Sequence, residues 1–191
     1  MSPAQDILHF WFGHPDEPNY GKQKSFWFIK NPEVDEELKT RFLKDYQQAA
    51  AGDLDDWLNS PATCLALIIL LDQLPRNIFR GTPASFATDL KALAAAQHGI
   101  IQGYDRQFLP VQRWFFYLPF EHSENLAHQQ QSVKLFQELS HDPESASAIT
   151  YALQHLEIIE RFGRFPHRNR ILGRVSTPEE EEFLKQPGSS F

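Results

Sequence analysis

The stretch SPATCLALIILLDQLPRNIFRG, residues 60–81, decides the fold class. It opens on Ser60-Pro61. A serine oxygen just before a helix accepts a bond from a first-turn amide, and proline at the next position has no amide to leave unpaired and a φ that already suits a helix. The apolar run Cys64 to Leu71 follows, too apolar to face water along its length. Its eight residues are too few to cross a bilayer, which takes about 20 in a helix. Asp72, Arg76 and Arg80 then recur every fourth position and share one face if the helix continues. Pro75 has no amide for the Leu71 carbonyl and predicts a kink or break there. Ionic groups at the end of a buried helix belong in a groove or an internal network.

The same capping residue and proline recur at Ser2-Pro3, Asn31-Pro32, Thr82-Pro83, Asp142-Pro143 and Thr177-Pro178. Thr177-Pro178-Glu179-Glu180 adds the glutamate of a capping box and an acidic first turn. Each cap contributes about 1 kcal/mol, and together they mark helix starts along the whole chain. Between them the apolar spacing is helical: Val34, Leu38, Phe42 and Leu43; Phe86, Leu90, Leu93 and Ala94; Leu126, Val133 and Phe136; Ile149, Leu153, Leu156 and Ile159. Gly52, Gly81, Gly103, Gly163 and Gly173 fall where helices should stop. No alternating strand and no Asn-Gly or Asp-Gly hairpin turn is present. The expectation is an all-α single domain over residues 1–191, with about eight to ten helices paired mostly antiparallel through short links. Gly13–Gln23 reads as a loop and Lys185–Phe191 as an irregular end.

Composition narrows the function classes. The 191 residues carry a formal charge of -7 and a pI near 5.6. That acidic balance argues against general nucleic-acid or anionic-membrane binding, which needs a broad positive surface. Aromatics make up 13% of the chain and sixteen of them are Phe, so the core is ring-rich. The one cysteine, Cys64, reads as a core residue; it has no internal disulfide partner and no companion for a zinc site. The N-terminus lacks a basic start followed by an apolar run, so no signal peptide is read and a cytoplasmic protein is expected.

Half of the ten arginines lie in RFGRFPHRNRILGR, residues 161–174. Glu157 precedes Arg161 by four positions and Glu160 precedes Arg164 by four, the favourable order for pairs on a helix. Arg168, Arg170 and Arg174 have no such partner nearby in sequence. A guanidinium grips carboxylate or phosphate through two parallel bonds, so the cluster binds acids from other helices or receives an anion. YLPFEHSENLAHQ, residues 117–129, places Glu121, His122, Ser123 and Glu124 at an expected helix start after Pro119, with Ser123 as the cap. Glu124 and His128 stand one turn apart as two metal ligands would, but there is no HExxH and no further ligand is apparent, so neither a metal nor a cofactor is expected. His155 reads as a hydrogen-bonded core histidine. His167, beside Arg168, should be held neutral by positive charge.

LDQLPRNIFRGT, YLPFEHSE, RFGRFPHRNRILGR and STPEEEEFL together resemble the uncharacterised bacterial domain-of-unknown-function family numbered nine hundred and twenty-four, over a span from Ile7 to near Leu184. The resemblance implies a tetratricopeptide-like fold, with antiparallel helix pairs stacked as a right-handed superhelix. It implies no established activity and supplies no catalytic residues, and the usual tetratricopeptide consensus is not visible.

The leading functional expectation is a binding module. Arg76, Asn77, Arg80, Arg164, His167, Arg168, Asn169 and Arg174 would line a groove for an anionic small molecule or an acidic peptide, with Glu121 and His122 at its edge and aromatic rings as walls. The rival is an enzyme in which His122 or His167 is the acid/base and Asp72 or Glu121 orients it. The third is a structural scaffold whose arginines and acids saturate one another and whose outer face recruits a partner protein. Neither nucleic acid nor membrane is an expected partner, and oligomeric state is not legible.

Overall fold

The computed structural model describes residues 2–190, and within them the chain forms eight α-helices and no strand. They are α1 (Pro3–Phe12), α2 (Pro32–Ala51), α3 (Pro61–Ile68 continued by Leu74–Ile78), α4 (Asp89–Ile101), α5 (Pro110–Glu121), α6 (Leu126–Gln137), α7 (Ala146–Phe162) and α8 (Pro178–Phe183). Each of the six cap-proline pairs begins a helical segment. Ser2, Asn31 and Thr177 also accept first-turn amides as predicted, Ser2 and Thr177 within full capping boxes. The other three work through proline alone: the Ser60 hydroxyl bonds the Thr63 hydroxyl instead, and Asp142 accepts from Ser145.

Two of these starts correct the sequence reading. Pro83 opens only a short 3-10 turn, Pro83–Phe86, and α4 begins afresh at Asp89. Phe86 and Leu90 therefore do not share a face, and Leu90 is 82% exposed while Leu93 is buried. Pro143 likewise opens a 3-10 turn, Pro143–Ser145, which runs into α7 at Ala146.

α3 is the axis of the core. Every residue from Cys64 to Leu74 is buried, the polar pair Asp72 and Gln73 included, and α1, α2, α4 and α5 all pack on this helix. Gly99 lets α4 come close: a β-carbon there would lie 2.7 Å from the Phe116 ring and 3.3 Å from Cys64 Sγ. At Pro75 the regular α-helix is interrupted, as expected, but the chain stays helical through it. A π turn, Ile69–Gln73, inserts an extra residue, and the Leu74 amide reaches back to the Ile69 carbonyl. The Leu71 carbonyl, which proline cannot serve, accepts from the Thr88 hydroxyl at 2.6 Å. An inserted residue of this kind rotates the side chains around it relative to an ordinary helix. It lies where Asp72 and Gln73 enter the site.

Pro119 is also accommodated. It is buried inside α5, which continues to Glu121, so Glu121 and His122 sit at a helix end and not at the expected start. The next start is α6, capped by Asn125 rather than Ser123; the Asn125 oxygen accepts from the Ala127 and His128 amides. The sequence reading took a proline as a stop, whereas its φ suits a helix and the surrounding ring packing outweighs one lost backbone bond.

Among the described residues no helix is long and apolar enough to cross a membrane.

Candidate functional site

The end of α5 faces the π turn of α3 and the 3-10 turn Pro166–Arg168 that follows α7. A cavity of about 480 Å³ opens among them. Its polar end is lined by Gln73, Arg76, Glu121, His122, His155 and Arg168; its apolar walls come from Trp27, Phe86, Trp114, Leu118 and Phe136.

His122 Nδ1 lies 2.8 Å from Asp72 Oδ1. Asp72 is 1% exposed, and its other oxygen accepts from Gln73 Nε2 at 2.6 Å. Burial works to raise the Asp72 pKa, but the charges of His122 and Arg76 and the two hydrogen bonds win, so it stays below the usual carboxylate range. Burial, helped by Arg76 and opposed by Asp72, holds His122 below its ordinary value. At neutral pH this describes a neutral imidazole that donates from Nδ1 to an ionised aspartate. Nε2 is then the basic nitrogen.

Glu121 stands beside this pair on the cavity wall, 3% exposed. Burial first, and the charge of Asp72 second, push its pKa up to about 8. Its Oε1 is 3.3 Å from His155 Nδ1, and its Oε2 has no hydrogen-bond partner among the described residues. His155 donates from Nδ1 to the Tyr151 carbonyl at 2.8 Å, and burial lowers its pKa to about 3. His167, also on the cavity, is lowered to about 4 by burial and by Arg168. Glu121 is therefore a neutral carboxylic acid below about pH 8, among histidines that are also neutral.

The cavity arginines differ in how far they are satisfied. Arg76 bonds the Asp72 carbonyl at 2.8 Å and both oxygens of Asp89, at 2.7 and 3.1 Å. Asp89 begins α4, where a negative charge also meets the positive helix end. Arg80 holds both oxygens of Asp35 at 3.1 and 3.2 Å, and Asn77 adds a third bond to that carboxylate at 2.9 Å. Arg168 is 7% exposed and lies over the Phe86 and Phe165 rings, 4.7 and 4.6 Å from their centroids. Its nearest carboxylate oxygen, on Asp89, is 3.6 Å away, and its Nε has no acceptor. Burial, with Arg76 nearby, lowers its pKa to about 10.

Of the residues expected to line one groove, Arg76, Asn77, Arg80, His167 and Arg168 do line the cavity together with Glu121 and His122. Asp72 sits behind His122. Arg164, Asn169 and Arg174 do not line it; they form a second network. Arg174 grips Glu124 at 2.7 and 2.9 Å and also bonds the Asn169 oxygen and the Phe165 carbonyl. Arg164 grips Glu180 at 2.7 and 2.8 Å, and Asn169 bonds the same carboxylate. The expected pairs Glu157–Arg161 and Glu160–Arg164 give way to Arg161–Glu179 and Arg164–Glu180, because the tail carrying α8 folds back onto the end of α7. Glu124 accepts both from Arg174 and from the Phe165 amide, while His128 Nδ1 meets the Ser123 hydroxyl. Among the described residues no group of three His, Cys, Asp or Glu is arranged to hold a metal ion.

Sequence reasoning passed over the cavity mouth. Phe28 and Ile29, just after the 3-10 turn Ser25–Trp27, are 52% and 66% exposed, and Tyr151 on α7 is 54% exposed; all three line the opening. The signal was present in SFWFI, residues 25–29, an apolar run too short for a helix between polar neighbours.

A family described as a bacterial protein of unknown function (DUF924) matches residues 7–188, and the chain belongs to it. A solved structure of a protein of unknown function from Agrobacterium tumefaciens is 42% identical, with a TM-score of 0.84; the match covers 95% of this chain and 96% of that one. No curated protein matches the chain.

Proposed function

We propose that this DUF924 member is a small-molecule enzyme of the proton-transfer class, with the cavity as its active site and His122 as its acid/base. The hydrogen bond of 2.8 Å between His122 Nδ1 and buried Asp72, made on a cavity wall, carries the reading. Asp72 fixes the tautomer, so Nε2 accepts a proton from substrate or from a substrate-activated water, and the resulting imidazolium is stabilised at its other nitrogen. Glu121, neutral up to about pH 8, is a proton donor on the same wall. Arg168 favours negative charge that develops on the substrate, in surroundings where water screens it little. Turnover returns the proton from His122 or Glu121 to the product.

A second reading is binding of an anionic small molecule without turnover, the cavity acting as a receptor. The Arg168 guanidinium, which lines the cavity and makes no hydrogen bond among the described residues, favours it. Under either reading a cytoplasmic location remains part of the proposal, and the packing of α3 to α7, each on the next, supports a tetratricopeptide-like stacking.

A mixed metabolite extract incubated with wild type, His122→Asn and Asp72→Asn, and followed by mass spectrometry, separates the two. Wild type should consume at least one species, and His122→Asn should slow that reaction by about a hundredfold or more. Consumption of nothing, or equal rates in all three proteins, contradicts the enzyme.

A further inference from the structure

We propose that the cavity takes an amphipathic monocarboxylic acid, its carboxylate held by Arg168 and its apolar tail running along the aromatic wall to the mouth at Phe28, Ile29 and Tyr151. The inference rests on reading the cavity as a small-molecule site, but not on catalysis there.

Charge sets the head group. Three guanidinium groups line the cavity, and three carboxylates, Asp35, Asp72 and Asp89, stand against them. Arg76 and Arg80 each hold a carboxylate through two bonds, so their charge is already matched. Arg168 shares Asp89 with Arg76 at the longer distance of 3.6 Å, and among the described residues its guanidinium makes no hydrogen bond. A buried donor in that state costs stability unless something bonds it. A single carboxylate suits the Arg168 guanidinium, accepting from its terminal nitrogens, with the Glu121 carboxyl on the same cavity. A dianion suits the site poorly, because among the described residues no second guanidinium on the cavity lacks a bidentate carboxylate partner, and Asp72 and Asp89 already place negative charge beside it.

Shape sets the tail. From Trp114 and Phe136 the walls pass Trp27 and reach Phe28, Ile29 and Tyr151, each more than half exposed. Exposed rings continuous with an apolar cavity are what a chain longer than the cavity would cover on its way out. About 480 Å³ falls in the range of sites that enclose most of a small ligand, and a folded polypeptide segment would not fit.

Isothermal titration of acetate, hexanoate, decanoate, decanol, decyl phosphate and a short acidic peptide into wild type, Arg168→Gln and Ile29→Asp tests this. Affinity should rise from hexanoate to decanoate by up to about fourfold per added methylene buried. Arg168→Gln should weaken decanoate at least tenfold and leave decanol unchanged. Ile29→Asp should weaken decanoate but not hexanoate, which keeps the test decisive if Arg168→Gln fails to fold. Decanol binding as tightly as decanoate, decyl phosphate binding more tightly, no gain with chain length, or binding of the peptide alone each overturns the proposal. Decanoate binding without any His122-dependent turnover leaves this inference standing and removes the enzyme. His122-dependent turnover of a compound lacking a carboxylate does the reverse.

Discussion

Arg168 and Arg174 leave the same short stretch of chain and meet different surroundings. Arg174 is enclosed by acceptors: two oxygens of Glu124, the side-chain oxygen of Asn169 and the carbonyl of Phe165. Arg168 is more deeply buried, yet it lies between two rings, shares a carboxylate with Arg76 and leaves a donor unanswered. A count of arginines does not reveal free positive charge. That depends on which carboxylates the fold delivers, and here α8 and Glu124 neutralise one group of arginines while the cavity keeps one guanidinium only partly matched. The first network ties the tail to α7; the second borders a hollow with a histidine–aspartate pair.

Removing each arginine should separate the two regions most clearly. Arg174→Ala strands a half-buried Glu124 and should cost about 2 kcal/mol, less than a fully buried broken pair because both partners keep some exposure. Thermal denaturation should record a fall of about 4–8 °C. Arg168→Met removes a buried charge that is poorly matched and should leave the melting temperature unchanged or raise it. An equal fall in both variants would erase the distinction drawn here.

Sequence carried the helix starts because capping is local: an oxygen, a proline and an amide lie within four residues. It carried Asp72–Arg76 for the same reason, and that pair forms at 3.6 Å. It failed where partners come from far along the chain. Glu157 and Glu160 were the nearest acids to Arg161 and Arg164 in sequence, but Glu179 and Glu180 reach them in space. At Pro75 the regular α-helix gives way to a π turn without ending, and at Pro119 it runs on unbroken. A missing amide predicts a break only when nothing compensates, and here a π turn, the Thr88 hydroxyl and dense ring packing do. The mouth at Phe28 and Ile29 lacks helical periodicity, so no pattern argument reached it. Asp72 and His122 were both candidates, yet fifty residues separate them and only the folded chain pairs them.

Acid–base behaviour sharpens the comparison further. The folded Glu121 pKa of about 8 exceeds its ordinary 4.5, so between those values the folded protein keeps a proton that the unfolded chain releases. Its contribution to stability is therefore complete below about pH 4.5 and is lost as pH rises toward 8. His155 and His167 act in the opposite sense. Their folded values, about 3 and 4, lie below 6.5, so they cost stability as pH falls from 6.5 toward 4. Glu121→Gln removes only the first effect. Its melting temperature relative to wild type should climb steadily from pH 5 to pH 8, and a constant difference would mean that Glu121 is ionised throughout. The smallest effect expected is at the helix insertion: Thr88→Val leaves the Leu71 carbonyl without its donor and should cost about 1 kcal/mol in chemical denaturation.

The most direct measurement is nitrogen NMR of the His122 ring across a pH titration. A neutral ring protonated at Nδ1, titrating below pH 6.5 and losing that tautomer preference in Asp72→Asn, is the predicted result. A ring protonated at Nε2, or one that titrates above pH 6.5 with no response to Asp72→Asn, would contradict the account.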